Sequence, residues 1–494
     1  LSKITTYRTV RICEAASMEC IRRDHTEILS SGDQAGPFLS ARAVGMALAA
    51  LNDAKAHASG RSALLNITAP AKLTAIGAAN SNVAGAAACA EVLRLRYPNQ
   101  AHLLEPAWLR WLDYFGLGAA GSPAEMAGRA FGILVHQQGM DDPVNAAIDQ
   151  YTPSGARYEH IAPPSDPMQH YAGGRWGMST PLLATRVTGF PFPPGRTSAT
   201  HVDHTAHYAD DFEKTVNKGE SNRMPGTRTL PEEITGIGWG YDGSMEIGTP
   251  PRQYLQIVLT VLDLIEAQNP GSLSPEEELA ILAGVGIVMA DAGIDAWHYK
   301  YAPTHMMWRP AIGIPNAETG NGVADPSWQP LGLPNTNGSK RNLTPNFPSY
   351  PSGHATFGAA AFQLLRLFLV EKDIANFDEN GVDNVRFDFV SDEFNGRNKD
   401  PITMQPREHI TFGYNSLWQA IIDNSVSRLY LGVHWQFDGV TKRNAAGTDD
   451  EFGIPSSPSE LGKTGGVWLG AKIANEIALK LGISPTTIVD SKIS

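Results

Sequence analysis

The stretch Ser274–Ala290, SPEEELAILAGVGIVMA, decides the fold class. Ser274 and Glu277 form a capping box, and Pro275 takes the first helical position, where its missing N–H is not needed. From Leu279 to Ala290 the helix is apolar on nearly every side, so it needs other elements all around it. The same helical periodicity recurs outward from this point. Ala41–His57 (ARAVGMALAALNDAKAH) and Asn82–Arg96 (NVAGAAACAEVLRLR) are alanine-rich, with none of the alternation a strand requires. Phe357, Ala361, Leu364, Leu365 and Phe368 make an inward stripe; Leu417, Ile421, Asn424 and Arg428 share another face; Ile473, Ile477 and Leu481 a third, closed by Gly482 as C-cap. The pattern predicts an all-α fold, two helical bundles packed as one large unit. The 48 Gly and 34 Pro require long loops, expected at about 152–200, 219–251 and 310–352. The loop around Pro250-Pro251 divides an N-terminal helical half (1–250) from a C-terminal helical bundle (251–494).

Composition removes several classes of function. With 39 Lys+Arg against 51 Asp+Glu, the net charge of −12 argues against nucleic acid as a partner. An anion must therefore be held by a local positive pocket. The longest charge-free apolar run, Leu279–Ala290, is 12 residues, short of the ~20 needed to cross a bilayer. Cys13, Cys20 and Cys89 are too few for a disulfide framework or a thiolate cage. No basic-plus-apolar leader is visible after Leu1, which leaves the compartment open. A charged fraction of 18% is low enough to accommodate a homo-oligomer.

Three segments of the second half carry chemistry. They are Lys300 followed by Trp308-Arg309-Pro310; Pro348-Ser349-Tyr350-Pro351-Ser352-Gly353-His354; and Ser427-Arg428 with His434 and Asp438 beyond. Ser352-Gly353 at a helix start offers free N–H groups and a positive dipole end, an anion site. Two arginines turned inward cost several kcal/mol each unless a counter-charge joins them. A tetrahedral oxyanion fits their planar forks. His354 and His434 add a proton shuttle and a nucleophile or ligand. Arg428 and His434 lie about 240° apart on one helix, so both face the anion only if the chain breaks between them. Gly432 is placed to break it.

These segments resemble the vanadium-dependent haloperoxidases and their acid-phosphatase relatives. Pro348–Phe357 (PSYPSGHATF), Leu431–Asp438 (LGVHWQFD), Met289–Lys300 (MADAGIDAWHYK) and Pro37–Asp53 (PFLSARAVGMALAALND) are similar to the bacterial haloperoxidase type. The resemblance implies a vanadate site in the C-terminal bundle. His434 would be the axial vanadium ligand, with Asp438 fixing its ring. Arg309, Arg428, Lys300, Ser352 and the Gly353 N–H would hold the vanadate oxygens, and phosphate would take the site when vanadate is absent. His354 would be the acid–base toward hydrogen peroxide, and Lys300 would polarise the peroxide for attack by halide, bromide or chloride. Hypohalous acid would then halogenate a small organic acceptor. The alternative is a vanadate-inhibitable acid phosphatase acting through a phosphohistidine on His434.

Two departures stand out. Lys300 is nine positions before Arg309, where the family has seven or eight. Pro303 breaks the helix between them, so either Lys300 or His305 is the candidate for that corner of the pocket. Phe347 stands where algal bromoperoxidases have His and fungal chloroperoxidases Phe, which points to chloride. His201, His204 and His207 (HVDHTAH) are read as loop histidines near the pocket mouth and not as a metal site. Asp291 and Asp295 are open between partners of the site and simple helix polarity.

Overall fold

The structure, a computed structural model, describes residues 2–493 except 27–31, 117–119, 144–150, 195–205, 223–226, 318–321, 340–341, 448–449 and 452. The capping box forms as the sequence requires: Ser274 Oγ accepts from Glu277 N at 3.2 Å, and Ser274 N donates back to the Glu277 carboxylate at 2.9 Å. It opens helix Pro275–Tyr301, whose residues from Ile281 to Trp297 are all buried. This central helix packs against both Pro37–Ala58 and Gly353–Glu371. Pro37–Ala58 in turn packs on Ser81–Arg96 and Pro123–Gln137, and Gly353–Glu371 on Leu417–Tyr430 and Gly466–Lys480.

Small residues set how closely the helices approach. A Cβ on Gly45 would lie 2.6 Å from the Gly286 carbonyl oxygen, and one on Gly470 only 2.1 Å from that of Thr356. The helices thus touch backbone to backbone at these points, and the alanine-rich composition follows from that contact.

Three features differ from expectation. Pro250-Pro251 is no loop but the first turn of helix Pro250–Gln268, where Pro is tolerated because those N–H groups have no helical partner. An antiparallel hairpin of strands Phe387–Asn395 and His409–Tyr414 stands outside the helices. Its inward alternation, Phe387, Phe389, Ser391 and Glu393, is half polar and so does not show as an apolar period. Finally, Pro275–Tyr301 and Gly353–Glu371 are each long and apolar enough to cross a membrane, with 94% of the apolar window buried inside the protein. In the first, Asp291 and Asp295 extend the buried run past Ala290 because their carboxylates turn to loop N–H groups: Leu182, Leu183 and Ala184 for Asp291, Val187 for Asp295.

The Gly45–Gly286 contact is a testable constraint. Gly45→Ala should destabilise the protein by about 1–3 kcal/mol through overpacking, although Ala favours helix by up to about 1 kcal/mol. Urea unfolding reads this directly. An unchanged midpoint would mean that the two helices separate without cost.

Candidate active site

Helix Gly353–Glu371 begins at Ser352, whose Oγ accepts from Ala355 N at 3.4 Å. Ser352 N donates to the Asp438 carbonyl at 2.7 Å, which ties this helix start to the segment after His434. The preceding loop is held by Lys300. Its Nζ donates to the carbonyls of Pro348 at 2.9 Å, Ser349 at 3.1 Å and Pro351 at 2.5 Å. Three acceptors around one nitrogen require an ammonium with all three hydrogens, even though burial and Arg309 press its pKa well below the ordinary lysine value. The helix ends at Tyr301, just before Ala302 and Pro303, so the nine-residue spacing still brings Lys300 inward.

Arg309 is fully buried and reaches across to the His434 segment. Its Nε donates to Phe347 O at 2.9 Å, and Nη1 donates to Val433 O and to His434 Nε2, both at 2.8 Å. A guanidinium only donates, so His434 Nε2 carries the lone pair and Nδ1 the proton. That proton goes to Asp438 Oδ2 at 2.8 Å. Asp438 Oδ2 also accepts from Trp435 N at 3.0 Å, and its Oδ1 from Ser349 Oγ at 3.3 Å. Burial, then Arg309, Lys300 and Arg428, holds the His434 pKa well below the usual value, so the ring is neutral. The required break is present: helix Leu417–Tyr430 ends, and Gly432 turns the chain with φ +68°.

His354 and Arg428 meet on a segment whose composition reads only as loop. His354 Nε2 donates to the Gly240 carbonyl at 2.8 Å, leaving Nδ1 as the lone-pair nitrogen. Arg428 donates from Nη1 and Nη2 to the two carboxylate oxygens of Asp242, at 3.0 and 2.8 Å. Asp242 also lies 3.6 Å from His354 Nε2. Burial pushes the Asp242 pKa up, but the guanidinium facing it in a fork keeps it ionised. The one signal for Asp242 is its place in Gly240-Tyr241-Asp242-Gly243, an acid between turn-forming glycines, which is too common to single out.

Gly353, His354, Arg428, His434, Asp242, Trp297 and Phe347 line one cavity of about 310 Å³. Arg309 and Lys300 stand behind its Phe347 wall, each 5.1 Å from the ring centroid. Among the described residues Asp242 and Asp438 are the carboxylates paired in this group against Lys300, Arg309 and Arg428, which leaves one positive charge in excess there. The buried Arg428 Nε has no hydrogen-bond partner among the described residues. An orphan donor, a surplus positive charge and an imidazole lone pair together fit a bound oxyanion whose centre accepts a nitrogen ligand.

His305 does not share this cavity. Thr304 Oγ1 and the Phe190 carbonyl occupy its two ring nitrogens at 2.8 and 2.9 Å, and its ring stacks in the Phe190–Tyr350 group behind the loop. One short turn after Pro303 aims it away from Arg309. His201 and His204 lie outside the described residues. No cluster of three or more His, Cys, Asp or Glu suited to a metal occurs among the described residues.

This fold and cavity define a helical-bundle protein with Arg428 at the cavity wall and Lys300 and Arg309 buried behind it. The VCPO second helical-bundle domain matches residues 280–448. The vanadium chloroperoxidase of Curvularia inaequalis is 30% identical over 552 aligned residues, covering 95% of this chain and 89% of that protein. A bacterial vanadium-dependent iodoperoxidase structure superimposes with a TM-score of 0.61 at 16% identity, over 94% of this chain and 95% of that one. A holo-type bacterial vanadium-dependent chloroperoxidase gives 0.59 at 13% identity, over 96% of both chains. The chain belongs to the vanadium haloperoxidase family, and is thereby a peroxidase of the oxidoreductase class.

His160 gives a test of the buried charge. It is fully buried with no partner for either ring nitrogen among the described residues, and burial, then Arg309 and Lys300, depress its pKa far below normal. A histidine neutral when folded and protonated when unfolded makes the protein lose stability as pH falls below about 6.5. His160→Phe should therefore be more stable than the parent below that pH, by up to about 2 kcal/mol at pH 5. Urea midpoints at pH 7 and pH 5 measure this; a difference that does not grow on acidification would contradict it.

Proposed function

We propose that this enzyme oxidises halide, bromide and also chloride, with hydrogen peroxide to hypohalous acid, and so halogenates a small organic acceptor. The observation that carries the reading is His434: Asp438 fixes its proton on Nδ1 and turns the Nε2 lone pair toward the cationic group. The family's cofactor is vanadate, and His434 Nε2 is the ligand this site offers it. Arg309 Nη1, which donates to that lone pair, would be free to hold the anion once the lone pair is taken up by it. Arg428, through the Nε that has no partner among the described residues, Ser352 and the Gly353 N–H would complete the cradle at the helix start. When bound, vanadate supplies a Lewis-acid centre that stays V(V) and activates hydrogen peroxide toward halide.

The remaining work falls to side chains of this chain. His354 is neutral, its pKa driven down by burial and Arg428. With Nε2–H committed to Gly240 O, its Nδ1 is the atom that would accept a proton from hydrogen peroxide and hold it for return. Lys300 acts by its field and by fixing the carbonyls of residues 348–351, since all three of its donors are engaged there. Trp297 and Phe347, 4.7 Å apart, give the cavity an apolar wall where a weakly hydrated halide can lose water. An aromatic wall whose Trp297 N–H is already given to the Ala172 carbonyl at 3.2 Å supports the chloride reading.

The test loads the purified protein with orthovanadate, adds peroxide and bromide or chloride, and follows halogenation of a 1,3-dione. Vanadate-dependent halogenation is expected with both halides. His434→Ala should abolish it, whereas phosphate release from an aryl phosphate without any halogenation would reverse the reading in favour of a phosphatase. Phe347→His should lower chloride turnover more than bromide turnover, by about tenfold relative to the parent. Equal effects on both halides would remove Phe347 from halide choice.

A further inference from the structure

We propose that Glu393, on strand Phe387–Asn395, is a positioning residue for the acid–base histidine and its neighbouring arginine. It holds the Gly240–Asp242 segment, which supplies both the carbonyl that orients His354 and the carboxylate that orients Arg428. This rests on the roles given to those two residues above.

Glu393 is fully buried. Its Oε1 accepts from the Tyr241 backbone N–H at 3.1 Å; its Oε2 accepts from Arg407 Nη1 at 2.8 Å and from the Thr336 hydroxyl. Tyr241 sits between Gly240 and Asp242 with φ +44°, in the left-handed region that a bulky residue rarely adopts. A backbone so placed needs outside restraint, and the strand provides it at successive residues. Ser391 Oγ donates to Gly238 O at 2.7 Å, and Asp392 N donates to the Tyr241 hydroxyl at 2.9 Å. That hydroxyl donates to Gln256 at 2.8 Å. Gly240 leaves no slack, since a Cβ there would come within 3.0 Å of Glu393 Oε1 and 2.5 Å of the Pro334 ring.

A carboxylate is a poor choice for merely filling this space. Burial pushes its pKa up to about 7, against the pull of Arg407. The charged groups facing it are Arg407, with Asp400 3.6 Å beyond that guanidinium, and Asp242 on the held segment. An apolar residue would close the hairpin without that penalty. What the carboxylate adds is an acceptor for the N–H of a residue flanked by two groups that touch the site. The effect passes from Glu393 to Tyr241 N, then along one residue each way to Gly240 O and Asp242.

The full-length protein tests this with Glu393→Ala, which removes the acceptor, and Glu393→Gln, which keeps one for Tyr241. Two readouts are used. The first is the affinity of vanadate-free protein for inorganic phosphate, by calorimetry. The second is kcat/KM for peroxide against pH in the vanadate-loaded enzyme. Glu393→Ala should keep its helical circular dichroism, bind phosphate about tenfold more weakly, lose about 10- to 100-fold in kcat/KM and shift the limb of the pH profile set by His354. Glu393→Gln should recover most of both losses. Unchanged phosphate affinity and pH limb in a folded Glu393→Ala protein would overturn the proposal, as would equal losses in the two variants, which would assign the effect to buried charge alone. If Glu393→Ala does not fold, Thr336→Val, which removes one donor to the carboxylate, should shift both readouts in the same direction by a smaller factor, and no shift would overturn the proposal. His354→Ala and Arg428→Ala run alongside: full activity in these would sink the site assignment itself, whereas their loss with an unaffected Glu393→Ala sinks only the Glu393 role.

Discussion

Everything at this site depends on holding three cationic side chains close together out of water. Each repels the others in a medium where unscreened charge is costly. The fold solves the problem with fixed dipoles before it uses charge. Lys300 is enclosed by three carbonyls, and Arg309 by the carbonyls of Phe347 and Val433. Among the described residues two carboxylates are added, and both are already engaged: Asp242 by Arg428, Asp438 by His434. The positive charge in excess among the described residues is what the proposed oxyanion would balance.

Helix ends account for much of the arrangement. The central helix brings Lys300 in its last turn, where a cation is favoured by the dipole, and helix Gly353–Glu371 points its N-terminal N–H groups at the same volume. Helix Leu417–Tyr430 carries Arg428 two residues before its end, and Gly432 redirects the chain so that His434 returns to the cavity. The helices behind these segments approach backbone to backbone at glycines, as at Gly45–Gly286 and Gly470–Thr356.

What the sequence reveals follows from the range of the interactions involved. The helices, the Ser274 cap and the break at Gly432 are local, so periodicity and turn chemistry suffice. The convergence of Gly353-His354 with Arg428 and His434 on one cavity is also legible, because these are compact patterns with few other uses. Asp242 and Glu393 are not legible. Each acts through long-range contacts, and each sits where loop composition or a half-polar strand face hides it. His305 shows the opposite failure: its spacing to Arg309 suits the pocket, but the turn after Pro303 points it at Phe190.

The hairpin gives the reason for a β element in a helical enzyme. Helices deliver side chains along fixed directions, but the His354 partner is a backbone carbonyl, and a helix has its carbonyls engaged along its own axis. The Gly240 carbonyl that meets His354 comes instead from an irregular segment, and an irregular segment has no internal ladder to keep it still. The stretch around Gly240–Asp242 is such a segment, and the strand edge lies across it as a substitute ladder, with side chains of Ser391 and Glu393 and the N–H of Asp392 taking the places that neighbouring backbone would fill. The polar inward face that conceals this strand in the sequence is therefore what suits it to that role, because an apolar face would pack against the segment without specifying where its carbonyl points.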